Sequence, residues 1–219
     1  MAQLFHRGAN NVAKISILMA VVLAGVAGYA YTQIARSGYL TGRYVDRQQP
    51  VQFSHKHHVG DDGIDCRYCH TSVETSSSAG IPPTQTCMNC HSQIWSDSPY
   101  LEPVRASYRD NKPLEWIRVH DLPEYAYFNH SIHVAKGVGC STCHGQIDEM
   151  PSVYQENTLQ MEWCLACHKN PENFIRPKKE IFNMKWQDSD LTADERLKLK
   201  ADYKIRSREM LTSCSTCHR

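Results

Sequence analysis

The sequence predicts a mostly α-helical and irregular fold: one N-terminal transmembrane helix, followed by a domain of two repeats and a terminal unit. Three observations predict it. A largely apolar run extends from Ile15 to Tyr31, the pattern Cys-x-x-Cys-His occurs five times and uses all ten cysteines, and segments 53–91 and 128–168 correspond almost residue for residue.

The apolar run has Ser16 as its only markedly polar member. Extended through Thr32 and Gln33 to Ile34, it reaches the roughly 20 residues that cross hydrocarbon. Arg7 and Lys14 precede it and Arg36, Arg43 and Arg47 lie beyond it, so the basic residues do not set its orientation. Gly25-Val-Ala27 and Gly28-Tyr-Ala30 could serve as cleavage sites, which makes a removed signal peptide the rival reading. A retained anchor over 15–35 is expected, with 1–14 on the cytoplasmic side and 36–52 as a linker.

The five motifs are Cys66-Arg-Tyr-Cys69-His70, Cys87-Met-Asn-Cys90-His91, Cys140-Ser-Thr-Cys143-His144, Cys164-Leu-Ala-Cys167-His168 and Cys214-Ser-Thr-Cys217-His218. Two thiols at this spacing can add to the two vinyl groups of one porphyrin, and the next residue supplies an axial imidazole. Zinc and disulfides also use paired cysteines. With 12 histidines in 219 residues, finding one after all five pairs by chance has odds of roughly one in two million. A zinc site would consume pairs two at a time, and five is odd. The reading is a pentahaem c-type cytochrome with five covalent haem c groups. Because haem is attached to thiols outside the bacterial cytoplasmic membrane, the expected topology is single-pass, with the haem domain on the periplasmic face.

Setting aside 1–34 leaves roughly 37 residues for each haem, too few to build a core around every group. The porphyrins are therefore expected to form most of the interior, within many loops. Phe53-Ser-His55-Lys-His-His58 precedes Cys66 and Phe128-Asn-His130-Ser-Ile-His133 precedes Cys140, at a near-constant offset across the repeat. The domain therefore reads as a dihaem module over 53–91, a connector over 92–127, a second dihaem module over 128–168, and a terminal segment over 169–219 with the fifth haem.

Histidines three apart on a helix share a face, so one short helix can offer ligands to two irons. His55, His58, His130 and His133 are the expected distal ligands, with His70, His91, His144, His168 and His218 proximal. Of the rest, His6 lies across the membrane and His57 points off the ligand face of a regular helix. His120 is the candidate for the fifth iron; Met161 or Met150 is the alternative, with Met184 and Met210 behind them. The distinction matters because an axial methionine raises the potential. With only Arg219 after His218, that ligand is expected from earlier in the chain.

Thr192-Ala-Asp-Glu195 resembles a capping box and predicts a helix running to about Met210. Leu197, Ala201 and Ile205 recur four apart, which predicts a buried stripe with a charged, solvated face opposite. The formal charge is +1; five haems with ionised propionates bring it to about −4 oxidised and about −9 reduced. Nucleic acid is not an expected partner. Arg67, Arg105, Lys136 and Lys169 are candidates for propionate pairing or a docking surface.

Six-coordinate irons leave no position for substrate, so electron transfer without bond chemistry is expected, and the chain is read as an electron-transfer subunit, not an enzyme on its own. The runs Phe53-Ser-His-Lys-His-His, Cys66-Arg-Tyr-Cys-His-Thr-Ser-Val-Glu, Ala79-Gly-Ile-Pro-Pro-Thr, Phe128-Asn-His-Ser-Ile-His-Val and Met161-Glu-Trp-Cys-Leu-Ala-Cys-His resemble the pentahaem cytochrome c subunit of alternative complex III, a quinol:acceptor oxidoreductase. The likeness spans roughly residues 50–180. It implies a respiratory or photosynthetic membrane complex, with quinol-binding membrane subunits, an iron–sulfur subunit, and a monohaem cytochrome c or other periplasmic acceptor. One rival is a stand-alone membrane-anchored multihaem quinol dehydrogenase feeding periplasmic reductases. There the first motif comes close behind the membrane helix, whereas here the whole stretch from Ser37 to Asp65 separates Arg36 from Cys66. A catalytic haem reductase is the other rival, and it would need an open iron.

Overall fold

The computed structural model describes residues 5–218, excluding the side chain of Asp188. The chain divides into two compact units, one ending at Gly42 and the other beginning at Arg43.

In the first unit, helix Ala9–Arg36 runs for 28 residues, long and apolar enough to cross a membrane, and none of its side chains is buried. Its polar residues return their hydroxyls to the helix itself. Ser16 donates to the carbonyl of Ala13 at 2.9 Å and Thr32 to that of Tyr29 at 2.7 Å. Such back-bonding satisfies groups that hydrocarbon cannot. A turn over Gly38–Thr41 comes next and closes at Gly42, whose φ of 71° is a left-handed helix end.

The second unit is helical and irregular, without strands among the described residues; its helices are short, with Ala193–Asp202, of 10 residues, the longest. Two isolated bridges, Arg43 with Gln155 and Val138 with Ile175, supply its only extended pairings among the described residues. The apolar interior is thin. Val73, Val134 and Ile181 form a cluster with Ala79 and Phe182 against it, and among the described residues no side chain falls below 2% exposure.

The two repeats fold alike. In the second, His130–Ala135 is an α-helix. In the first, Lys56–Asp61 is a π-helical turn opening directly after His55. The cause is one extra residue: His58 is eight positions before Cys66, whereas His133 is seven before Cys140. A π turn accommodates one inserted residue without displacing the chain beyond it. Both repeats then close identically, through Gly63 (φ 69°) and Gly137 (φ 84°), with Ile64 donating to the His58 carbonyl at 2.9 Å and Val138 to that of His133 at 3.0 Å.

The C-terminal helix departs from expectation. The capping box forms, with Thr192 and Glu195 bonded reciprocally, but the helix ends at Asp202 instead of running to Met210. Lys204 takes a φ of 50°, its amide bonding Ala201 and that of Ile205 bonding Lys200. These are the two bonds of a Schellman ending, here without glycine. Lys136 reinforces it by donating to the carbonyls of Tyr203 and Lys204. The expected buried stripe does not form: Leu197 is exposed and no residue of the helix is buried. Arg196 donates to the carbonyl of Asn173 and Lys200 pairs with Glu172 at 2.7 Å, so the charged face docks on Pro171–Asn173.

Candidate functional site

Each Cys-x-x-Cys lies in a helical turn. Three form turns of their own, Cys66–Cys69, Cys140–His144 and Cys214–Cys217, while two sit in the longer helices Thr84–His91 and Met161–Lys169. Residues three apart in a helix share a side, so both thiols of a pair face one way. In the first motif Asp65 caps the turn, accepting from the Arg67 amide at 2.8 Å.

Each of the four repeat histidines stands opposite the histidine of a different motif. Ring centres are 6.4 Å apart for His55 and His70, 6.1 Å for His58 and His91, 6.4 Å for His130 and His144, and 6.2 Å for His133 and His168. An imidazole nitrogen sits about 2 Å from a first-row metal, with its ring centre about 1 Å beyond, so two imidazoles across one ion have centres roughly 6 Å apart. All four pairs have that spacing. The first pair of each repeat also keeps its orientation, the planes of His55 with His70 and of His130 with His144 meeting at 2° and 12°, whereas the second pairs, His58 with His91 and His133 with His168, meet at 68° and 31°.

The hydrogen bonds select the ligating tautomer. A backbone carbonyl only accepts, so a ring nitrogen against one must carry the proton. The Nδ1 atoms of His70, His91, His168 and His218 donate to Gly80, Ile94, Leu211 and Tyr125 at 2.7 to 3.0 Å. Those of His58, His130 and His133 donate to Ser54, Ser77 and Asn129 at 2.7 to 2.9 Å. In all seven rings Nε2 is left with its lone pair, oriented for a metal. Burial keeps the His55 and His144 rings neutral, lowering them to about 4 and about 3, and lowers His133 as well. Neutral imidazole is the form that binds metal. The residues therefore fit haem on donor type, tautomer and spacing.

His57 behaves differently. It is exposed and its two nitrogens face Asp61 at 3.8 Å and Asp62 at 3.6 Å. His120 is set against His144, ring centres 4.3 Å apart and planes at 69°, while His218 has the ring of Tyr125 at 5.9 Å. The structure thus brings His120 to the third motif and not to the fifth. Met150 and Met184 are buried, Met161 and Met210 exposed.

Among the four candidate cations, Arg67 forms a double hydrogen bond with Asp65, Arg105 binds Glu102 and the carbonyls of Ser96 and Ser98, Lys136 caps the chain at Tyr203, and Lys169 is exposed. A fifth cation escapes the sequence reading. Arg176 is 3% exposed, bonds Thr142 at 3.1 Å, and lies along Gly139, where an added Cβ would fall 2.2 Å from its Cζ. It brings positive charge to Cys140 and Cys143, partly opposing the burial that pushes the Cys143 thiol up to about 12. Nothing distinguishes it from other arginines in sequence; only its burial does.

Residues 126–219 match the family model of cytochrome c7 and related cytochrome c. Over 153 residues the chain is 31% identical to the menaquinone reductase, multiheme cytochrome c subunit, of Nitratidesulfovibrio vulgaris, a match covering 60% of this chain and 72% of that protein. Repeated Cys-x-x-Cys-His turns, oriented imidazole pairs and this likeness agree, and the chain belongs to the multihaem cytochrome c family.

Proposed function

We propose that the chain carries five covalent haem c groups and relays electrons between a quinone pool and an acceptor outside the membrane. The observation that carries this reading is the set of four imidazole pairs at 6.1 to 6.4 Å, each joining a repeat histidine to a motif histidine. Haem supplies a one-electron couple, and with both axial positions filled by protein it offers no site for substrate. The ten cysteines anchor the groups, the motif histidines are proximal, and His55, His58, His130 and His133 are distal. Of the expected candidates for the fifth iron, His120, Met161 and Met150, His120 stands against His144 instead, which favours the methionines.

Helix Ala9–Arg36 would hold the chain to the bacterial cytoplasmic membrane as a single-pass anchor with the second unit on the periplasmic side. The partners proposed are those of alternative complex III: an iron–sulfur subunit, quinol-binding membrane subunits and a monohaem cytochrome c. The run from Phe53 to Glu74 and that from Phe128 to His168 support this assignment. A second reading rests on the relative named a menaquinone reductase. There the electrons would run towards quinone and a different partner would supply them.

Purification in mild detergent, with subunit identification and pyridine-haemochrome analysis, tests the proposal. Five haems per chain and co-purifying iron–sulfur and multi-span subunits are expected. Fewer than five haems, or a lone cytochrome that oxidises quinol unaided, would overturn it.

A further inference from the structure

The two repeats meet reciprocally. The Lys56 amide donates to the Met150 carbonyl at 3.0 Å, and the Ser131 amide donates to the Ser76 carbonyl at 3.1 Å. Ser131 is the counterpart of Lys56 and Met150 the counterpart of Ser76, as the repeat alignment sets them. Each ligand-bearing turn therefore binds the segment leaving the other repeat's first motif. That is the signature of an isologous contact, in which i touches j and j touches i about a local twofold axis.

Residues on such an axis meet their own counterparts. Cys66 and Cys140 are counterparts, and their side chains lie close enough to influence each other directly. His70 and His144 are counterparts too, and His70 and His55 lie within electrostatic reach of His144. The axis thus passes between the first and third motifs. Symmetry then places the second and fourth motifs outward. The second is joined to the first by Asn89 donating to the Tyr68 hydroxyl at 3.1 Å. The fourth shares the helix His130–Ala135 with the third, through His133 and His130. The fifth motif continues from the fourth, since His168 donates to the carbonyl of Leu211, just upstream of Cys214.

From this we infer that the five sites lie in the spatial order second, first, third, fourth, fifth, and that electrons enter and leave through the second and the fifth. This rests on the ligand assignment proposed above. Burial agrees with it: of the ten cysteines, only Cys90 and Cys214 are exposed, one in each terminal motif. Transfer along such a row moves one electron at a time and makes or breaks no bond. The chain order would have placed the ports at the first and fifth motifs; the twofold contact moves the first motif inside.

The iron positions in an experimental density map of the intact complex test the order. The irons at His70 and His144 should be nearest neighbours across the repeats, and those at His91 and His218 should each have one close neighbour within the chain. If the His91 iron lies closer to the His144 iron than the His70 iron does, or if the His218 iron adjoins any but that at His168, the order is overturned. The same map shows axial ligands separately, so four confirmed imidazole pairs in a different row sink the order alone, and wrong pairs sink the ligand reading. Redox titration gives a second readout. His55→Met and His130→Met should shift midpoints non-additively when combined, because charge coupling falls with distance, whereas His58→Met and His133→Met should add. Additive shifts in the first pair would count against the axis.

Discussion

Gly60 lies so close to Asp148 that a Cβ added to it would sit 2.3 Å from the Asp148 carbonyl oxygen. Its φ is not in the left-handed region, so proximity and not conformation selects glycine here. The neighbour is backbone and cannot rotate away. Gly60→Ala should therefore force the turn Lys56–Asp61 off Ile147–Glu149, costing about 1–3 kcal/mol as an overpacked contact. Thermal unfolding of the holoprotein by circular dichroism should show a fall of about 2–4 °C per kcal/mol. At the counterpart position the chain already carries Ala135, so Ala135→Gly should change little beyond helix propensity, about 1 kcal/mol at most.

The repeats are not identical at the proposed ligands. His130 donates Nδ1–H to the Ser77 carbonyl at 2.8 Å, whereas Nδ1 of His55 is buried with no hydrogen-bond partner among the described residues. An imidazole that donates to a carbonyl is the more basic ligand and favours the oxidised metal. Replacing it should thus raise the potential more. His130→Met is expected to lift one midpoint further than His55→Met does, read by spectroelectrochemical titration; equal rises would remove this hydrogen bond from the account.

The five motifs, the long apolar helix and the paired repeat histidines are legible in sequence because each is a local pattern. The contact between repeats is not. It runs through backbone groups of Lys56, Met150, Ser76 and Ser131, and no residue type marks a carbonyl that accepts from a distant amide. The C-terminal helix shows a second kind of failure. Its start carried the Thr192–Glu195 signal, but it ends at Asp202 with Lys204 in the left-handed position where glycine would have announced the turn. Its packed face is illegible for the same reason as Arg176: a charged residue reads as surface until a partner such as Glu172 is seen opposite it.

That partner makes a pH-dependent contribution. The hydrogen bond from Lys200 holds the Glu172 carboxyl below its ordinary value. A carboxyl lowered in the folded state stabilises fully above its unfolded pKa, about 4.5, and the contribution is lost as pH falls through the lower folded value. Both side chains are partly exposed, so the pair is worth about 1 kcal/mol or less. Lys200→Met should lower stability at pH 7 by that amount and leave it nearly unchanged well below pH 4. Equal losses at both pH values would assign the effect to packing of the lysine stem.

His120 gives the sharpest test of the remaining ligand. Its ring is 4.3 Å from that of His144, and burial holds it neutral, down to about 4, with Nε2 enclosed and unpartnered among the described residues. Ring centres that close leave too little room for an ion between them, since opposed ligands need roughly 6 Å. His120 is therefore placed to pack on His144, the proposed proximal histidine of the third site. His120→Ala should keep every haem low-spin and shift the midpoint of the third alone, because removing the ring admits water beside His144. A high-spin haem in this variant would instead make His120 an axial ligand. Met161→Ala discriminates further: Met161 opens the helix that carries Cys164, and the His168 ring at its other end meets the Leu211 carbonyl. A high-spin signal there, with His120→Ala silent, would place the sulfur on the fifth iron and make that haem the high-potential end of the row.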